Sequence, residues 1–85
     1  MGEKVKDEIL EHIIKRYHLE GINEEQLLDL PLIKLPENSI DYLHLIIDIE
    51  DIAGVEFSDN QLEIKNYETV GDLIEQVIKL MSFDI

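Results

Sequence analysis

Apolar residues recur every three or four positions in three stretches of the chain, and this spacing places them along one face of an α-helix. The stretches predict helices over residues 5–18, 38–53 and 69–81. Gly21 and Gly54 follow the first two stretches, where glycine commonly ends a helix. The most regular stripe lies in the last stretch and consists of Val70, Leu73, Ile74, Val77, Ile78 and Met81. The pattern therefore predicts an all-α protein.

The connections between these helices are themselves rich in apolar residues. Residues 22–37 predict a long loop between the first and second helices, because Pro31 and Pro36 exclude a regular helix there. One helical turn fits near residues 24–28. A loop this apolar has to pack against the core. Residues 58–66 predict a short helix, so we expect a small bundle of three long helices plus one short helix.

The second long helix carries more apolar residues than one buried face can hold. Its inner row consists of Leu45, Ile46, Ile49 and Ala53. A second row consists of Ile40, Leu43 and Ile47, with Asp41, Asp48 and Asp51 beside it. An exposed apolar row flanked by acids is typical of a docking surface. The alternative is a helix that the long loop covers on its second side.

Length and charge narrow the class of protein. The 85 residues suit one domain, expected over residues 5–81 with flexible tails at 1–4 and 82–85. The chain has seven basic and twenty acidic residues and therefore a net charge of −13. Nucleic acid and anionic membrane surfaces are therefore unsuitable partners, and a basic protein partner is expected.

The chain has no cysteine and no apolar run long enough for a signal peptide or membrane span, which favours a cytoplasmic monomer without disulfides.

The sequence offers little for catalysis by this chain alone. It has no glycine-rich phosphate loop and no EF-hand loop, and we expect neither a metal site nor an enzyme. Ser39, His44 and Asp48 share one helix, but Ser39 and His44 point in different directions, which argues against a catalytic triad.

Ser39 opens the helix, where the dipole is positive and a phosphate is tolerated. The position predicts covalent attachment through a phosphate; the alternative is a simple helix cap.

Three motifs resemble those of acyl carrier proteins. Residues 35–45, LPENSIDYLHL, resemble the family's attachment segment L-G-x-D-S-L-D/E-x-V/L-E-L, and Ser39 matches the serine that receives 4′-phosphopantetheine. Residues 49–57 are similar to the end of the family's second helix. Residues 69–73, TVGDL, are similar to the opening of its last helix. The motifs cover most of the chain in the family's order.

The resemblance implies both a mechanism and a set of partners. A phosphopantetheinyl transferase would attach the arm to Ser39, and the arm would carry acyl groups as thioesters. Acyl-transferring or condensing enzymes of fatty-acid, lipid or polyketide biosynthesis would dock through basic patches. The residues expected to meet them are Ile40, Asp41, His44, Ile47, Asp48 and Asp51.

The chain departs from the family pattern at Asn38, Pro36, His44 and Ala53; Pro36 stands where the family has glycine, and Ala53 where a phenylalanine is common. Asn38 stands where the family usually has aspartate, and His44 replaces a customary glutamate. These changes favour a specialised, stand-alone carrier. A peptidyl or D-alanyl carrier shares the same serine and stays open as an alternative, as does an acidic adaptor domain that carries nothing.

Overall fold

The structure is a computed structural model that describes residues 2–82. Four α-helices account for most of these residues: α1 (Gly2–Tyr17), α2 (Glu24–Asp29), α3 (Ser39–Ala53) and α4 (Val70–Ser82). Two 3-10 helices span Leu32–Lys34 and Ile64–Asn66. Residues 2–82 contain no strand, and a single β-bridge joins Pro31 to Thr69. The all-α prediction is confirmed.

Helix α1 is longer at its start and shorter at its end than predicted. It begins at Gly2, and Glu3 places a negative charge in the first turn, where the helix dipole favours it. It ends at Tyr17, because His18 takes the left-handed conformation with φ 56°. The Leu19 N–H then donates to the Ile14 carbonyl at 2.9 Å, as in a Schellman turn. The helix thus ends one residue before the predicted end at His18, and the turn that stops it precedes Gly21.

The predicted tails fall largely within helices or outside the described residues. Residues 2–4 belong to α1 and Ser82 ends α4, where its hydroxyl donates to the Ile78 carbonyl at 3.0 Å. Met1 and residues 83–85 lie outside the described part of the chain.

The connection between α1 and α3 is not one irregular loop. Asn23 and Gln26 form a reciprocal capping box that opens α2: the Asn23 side chain accepts from the Gln26 N–H at 2.8 Å, and the Gln26 side chain accepts from the Asn23 N–H at 3.2 Å. Pro31 follows α2 and precedes the first 3-10 helix. The helical turn predicted near residues 24–28 is thus a six-residue helix. The short helix predicted within residues 58–66 is only a three-residue 3-10 helix.

The core forms where these elements meet, and residues of α2 and of the first 3-10 helix contribute to it. Leu27 and Leu32 are completely or almost completely buried, which confirms that the apolar connection packs on the core. The other large core side chains with almost no exposed surface are Ile9, Ile13, Leu45, Ile46, Ile49, Val70, Leu73 and Val77. No helix within residues 2–82 is long and apolar enough to span a membrane.

The start of α4 is held by its own cap and by the α2 connection. The Asp72 N–H donates to the Thr69 hydroxyl at 3.2 Å and the Thr69 N–H donates to the Asp72 carboxylate at 3.3 Å, as the Thr69–Asp72 spacing predicts. A Cβ on Gly71 would lie 3.2 Å from the Leu28 carbonyl oxygen, so the two helices approach closely here. The Val70 N–H also donates to the Leu30 carbonyl at 3.0 Å.

Candidate functional site

Helix α3 begins where the sequence predicts, and its cap is supplied by the residue before Ser39. The extended Asn38 backbone sets the boundary, and the Asn38 side chain accepts from the Asp41 N–H at 2.9 Å. Ser39 is the first helical residue, and it is exposed. The first N–H groups of a helix have no carbonyl partner within it, so this position suits an anion attached to the serine.

Two grooves meet at Ser39. The first encloses about 420 Å³ and is lined by Ser39, Tyr42, Leu43, Leu62, Glu63, Ile64 and Lys65. The second encloses about 310 Å³ and is lined by Ile33, Pro36, Glu37, Asn38, Ser39, Tyr42 and Ile64. Ser39, Tyr42 and Ile64 line both grooves. A group attached to Ser39 can therefore enter either groove without crossing the rest of the surface.

The second apolar row of α3 is exposed. Ile40, Leu43 and Ile47 have 67%, 44% and 51% of their surface accessible, and we call these three residues the apolar patch. The connection between α1 and α3 therefore does not cover this side of the helix. His44 and Asp51 are also exposed on α3. Ile33, which the sequence pattern did not single out, is 71% exposed and lines the second groove.

Asp41 and Asp48 are already paired with residues of α1. Asp41 accepts from the Arg16 guanidinium, from the Tyr17 hydroxyl at 3.1 Å and from the Glu37 N–H at 3.0 Å. Asp48 lies 3.0 Å from His12 Nε2 and 3.5 Å from Arg16 Nη1. We call His12, Arg16, Tyr17, Asp41 and Asp48 the α1–α3 clasp.

The clasp changes the electrostatics beside Ser39. The Arg16 hydrogen bond, followed by that of the Glu37 N–H, lowers the pKa of the Asp41 carboxyl below its ordinary value. The Asp41 carboxylate lies two residues from Ser39, and its charge is paired with the guanidinium of Arg16. Of the six residues expected to meet partners, Ile40, His44, Ile47 and Asp51 are open to solvent, whereas Asp41 is mostly covered and Asp48 partly so.

The sequence spacing shows that the charged residues of each helix in this clasp share one helix face. His12 and Arg16 are four positions apart in α1, and Asp41 and Asp48 are seven apart in α3, so each pair lies on one helix face. What the pattern does not give is the packing of the two helices, which brings these faces together.

Tyr42 is the buried residue common to both grooves. Only 5% of its surface is exposed, and its hydroxyl has no hydrogen-bond partner among the described residues. Burial, followed by the neighbouring Tyr67, raises the pKa of this hydroxyl far above its ordinary value. Sequence periodicity assigns Tyr42 to the helix but gives no sign of an unpaired hydroxyl.

No protein-family model, curated protein or solved structure matches the chain. The residues around Ser39 therefore carry what can be said of its chemistry. They provide an exposed primary alcohol at a helix N-terminus, two adjoining grooves and an exposed apolar patch on the same helix. This arrangement suits a phosphate ester on Ser39 and contact with a second protein.

Proposed function

We propose that the protein is an acyl carrier protein that holds acyl groups on a 4′-phosphopantetheine arm attached to Ser39. The observation that carries the proposal is the position of Ser39: it is exposed, it is the first residue of a capped helix, and it lies where two grooves meet. The same serine lies in the segment that resembles the acyl-carrier attachment motif.

The attachment step follows from the chemistry of a primary alcohol. Ser39 Oγ attacks the pyrophosphate phosphorus of coenzyme A nearest the pantetheine. The P–O bond to the nucleotide breaks, adenosine 3′,5′-bisphosphate leaves, and a base of the phosphopantetheinyl transferase takes the serine proton. The helix N-terminus favours the resulting phosphodiester, and the pairing of Asp41 with Arg16 reduces repulsion from the nearest carboxylate. When attached, the arm supplies a thiol on which acyl groups travel as thioesters.

The surface beside Ser39 supports docking by basic enzymes. The apolar patch supplies contact area, and the net charge of −13 favours encounter with a positively charged partner. Asp51 and His44 lie exposed on the same helix, where they can set the orientation of a partner. The partners of the proposed function are a phosphopantetheinyl transferase and acyl-transferring or condensing enzymes of fatty-acid, lipid or polyketide biosynthesis.

The proposal predicts one defined covalent modification. After incubation with a broad-specificity phosphopantetheinyl transferase and coenzyme A, the intact protein should gain the mass of one phosphopantetheine group. Peptide fragmentation should locate the group on Ser39, because this is the serine at the start of a long helix and beside both grooves. No gain, with a known carrier modified in the same reaction, would contradict the proposal. It would leave the acidic adaptor, for which the apolar patch would be the working surface.

The apolar patch should govern recognition by the transferase. An Ile47→Glu variant removes exposed apolar surface and adds a charge, and we expect its kcat/KM as a transferase substrate to fall roughly 10-fold or more. Because Ile47 is half exposed, the free energy of unfolding should change by only about 0.5 kcal/mol. Lys79→Gln on α4 is the matched control, since it makes the same change in net charge at an exposed site away from α3. Equal losses in both variants would assign the effect to net charge and not to the patch.

A further inference from the structure

The Tyr42 hydroxyl is a buried polar group of the site that the proposed attachment chemistry does not use, and it has no hydrogen-bond partner among the described residues. A buried hydroxyl without a hydrogen bond lowers the stability of the folded state, because the group has lost its contacts with water and gained none in return. Tyr67, the other buried tyrosine nearby, shows the usual arrangement: its hydroxyl donates to the Gln61 carbonyl.

Tyr42 lies close to any group that is attached to Ser39. Tyr42 follows Ser39 by three positions on α3, so the two residues lie on neighbouring turns of one helix side. Tyr42 lines both grooves, and its hydroxyl oxygen has almost no accessible surface, so this oxygen lies just beneath the groove surface. Leu43, Leu62 and Ile64 supply the apolar part of the larger groove, and Glu63 and Lys65 also line it. A flexible chain that leaves Ser39 and folds into either groove runs alongside this tyrosine.

We propose that the grooves receive a mostly apolar chain that bears a hydrogen-bonding oxygen, and that Tyr42 selects such a chain by binding that oxygen. The inference rests on the proposed attachment at Ser39. The oxygen has two possible sources with the same chemistry: an amide or hydroxyl oxygen of the arm itself, or an oxygen substituent on the acyl cargo. Since a neutral phenol both donates and accepts, it can bind a carbonyl or a hydroxyl.

The inference is tested by comparing Tyr42→Phe with the wild type in four covalent states. These are the unmodified protein, the protein with the arm, the protein with a saturated acyl group, and the protein with a 3-hydroxyacyl group of the same length. Intact mass establishes each state, and thermal unfolding gives Tm. In the unmodified protein we expect Tyr42→Phe to have the same Tm as the wild type or a higher one, by up to about 4–8 °C, because it removes an unpaired buried hydroxyl.

The state in which the Tm of the wild type first rises relative to that of Tyr42→Phe identifies the source of the oxygen. Such a relative rise on addition of the arm alone assigns the oxygen to the arm. A relative rise only with the 3-hydroxyacyl group assigns it to the cargo and makes Tyr42 a determinant of cargo specificity. An unchanged difference in all four states overturns the inference, as does an unmodified Tyr42→Phe protein that is less stable than the wild type, because its hydroxyl would then already have a partner.

Tyr67→Phe is the matched control. It removes a buried hydroxyl that is already bonded, so its Tm should be lower than the wild-type value by the same amount in every state. Failure of the proposed function is seen separately, as the absence of any mass gain at Ser39, and it removes the inference with it. Modification without a state-dependent Tyr42 effect removes the inference alone.

Discussion

A Ser39→Ala variant should fold like the wild type and accept no phosphopantetheine. The expected loss of modification is complete, because the serine oxygen is the atom that forms the bond to phosphorus. The structure also indicates why folding should be preserved. The cap of α3 comes from Asn38, and Ser39 is the exposed first residue of the helix, where alanine is well tolerated. Intact mass and a denaturation curve on the same sample check both statements.

Ser58→Ala is the natural control for this variant. Ser58 is exposed, and its hydroxyl accepts from the Gln61 N–H at 3.3 Å, outside any long helix. The control should gain a full equivalent of phosphopantetheine. A mass gain that persists in Ser39→Ala would refute Ser39 as the site, whatever the control does. A Ser39→Ala protein that unfolds would show instead that the hydroxyl has a structural role.

An Asp41→Ala variant should lose about 2–3 kcal/mol of unfolding free energy, a large part of the roughly 5 kcal/mol expected for a domain of this size. Asp41 is only 20% exposed at its side chain and has three partners. Its loss would free the Glu37 N–H at the helix start and leave Arg16 and the Tyr17 hydroxyl without their shared acceptor. Urea denaturation measures the loss. An Asp41→Ala protein as stable as the wild type would contradict the clasp.

The same carboxylate should give the stability a pH dependence. Its pKa is lowered in the folded state, mainly by Arg16, whereas in the unfolded chain it lies near the ordinary value of about 3.9. The stabilisation from its charge is therefore fully present above the unfolded value and is lost as pH falls through the lower folded value. Asp41→Asn keeps the shape and removes the charge, so its stability deficit should shrink as pH falls below about 4. A deficit that is constant between pH 3 and 7 would show that the charge of the Asp41 carboxylate does not contribute to it.

The parts of this fold that depend on local sequence could be predicted. The start of α3 at Ser39 follows from Asn38 as a capping residue after Pro36, and the start of α4 follows from the Thr69–Asp72 spacing. The exposed row of α3 also follows from the sequence, because one helix face cannot bury every apolar residue of that stretch. These features need only interactions between residues a turn or less apart.

The features that escaped prediction depend on contacts or conformations that no periodicity encodes. The turn that ends α1 depends on His18 adopting a left-handed conformation that favours glycine or asparagine, although the predicted helix end lies only one residue beyond the observed one. The clasp requires α1 and α3 to pack with two particular faces opposed. The unpaired hydroxyl of Tyr42 requires knowledge of everything packed around it. Part of the candidate site is therefore visible in the sequence, namely Ser39 and the apolar patch, and part only in the folded chain.

The α1–α3 clasp makes the two sides of the Ser39 site mechanically unequal. On one side, α3 is tied to α1 by charged hydrogen bonds of Asp41 and Asp48, which lie two and nine residues along the helix from the serine. On the other side, the wall formed by residues 62–65 belongs to a segment whose side-chain hydrogen bonds are mostly to its own neighbours, such as Tyr67 to Gln61 and Asn66 to Asn60. When a bulky occupant widens the larger groove, we expect residues 62–65 to move and α3 to stay in place. The serine would then keep a fixed position and orientation towards an incoming enzyme, whatever the size of its load.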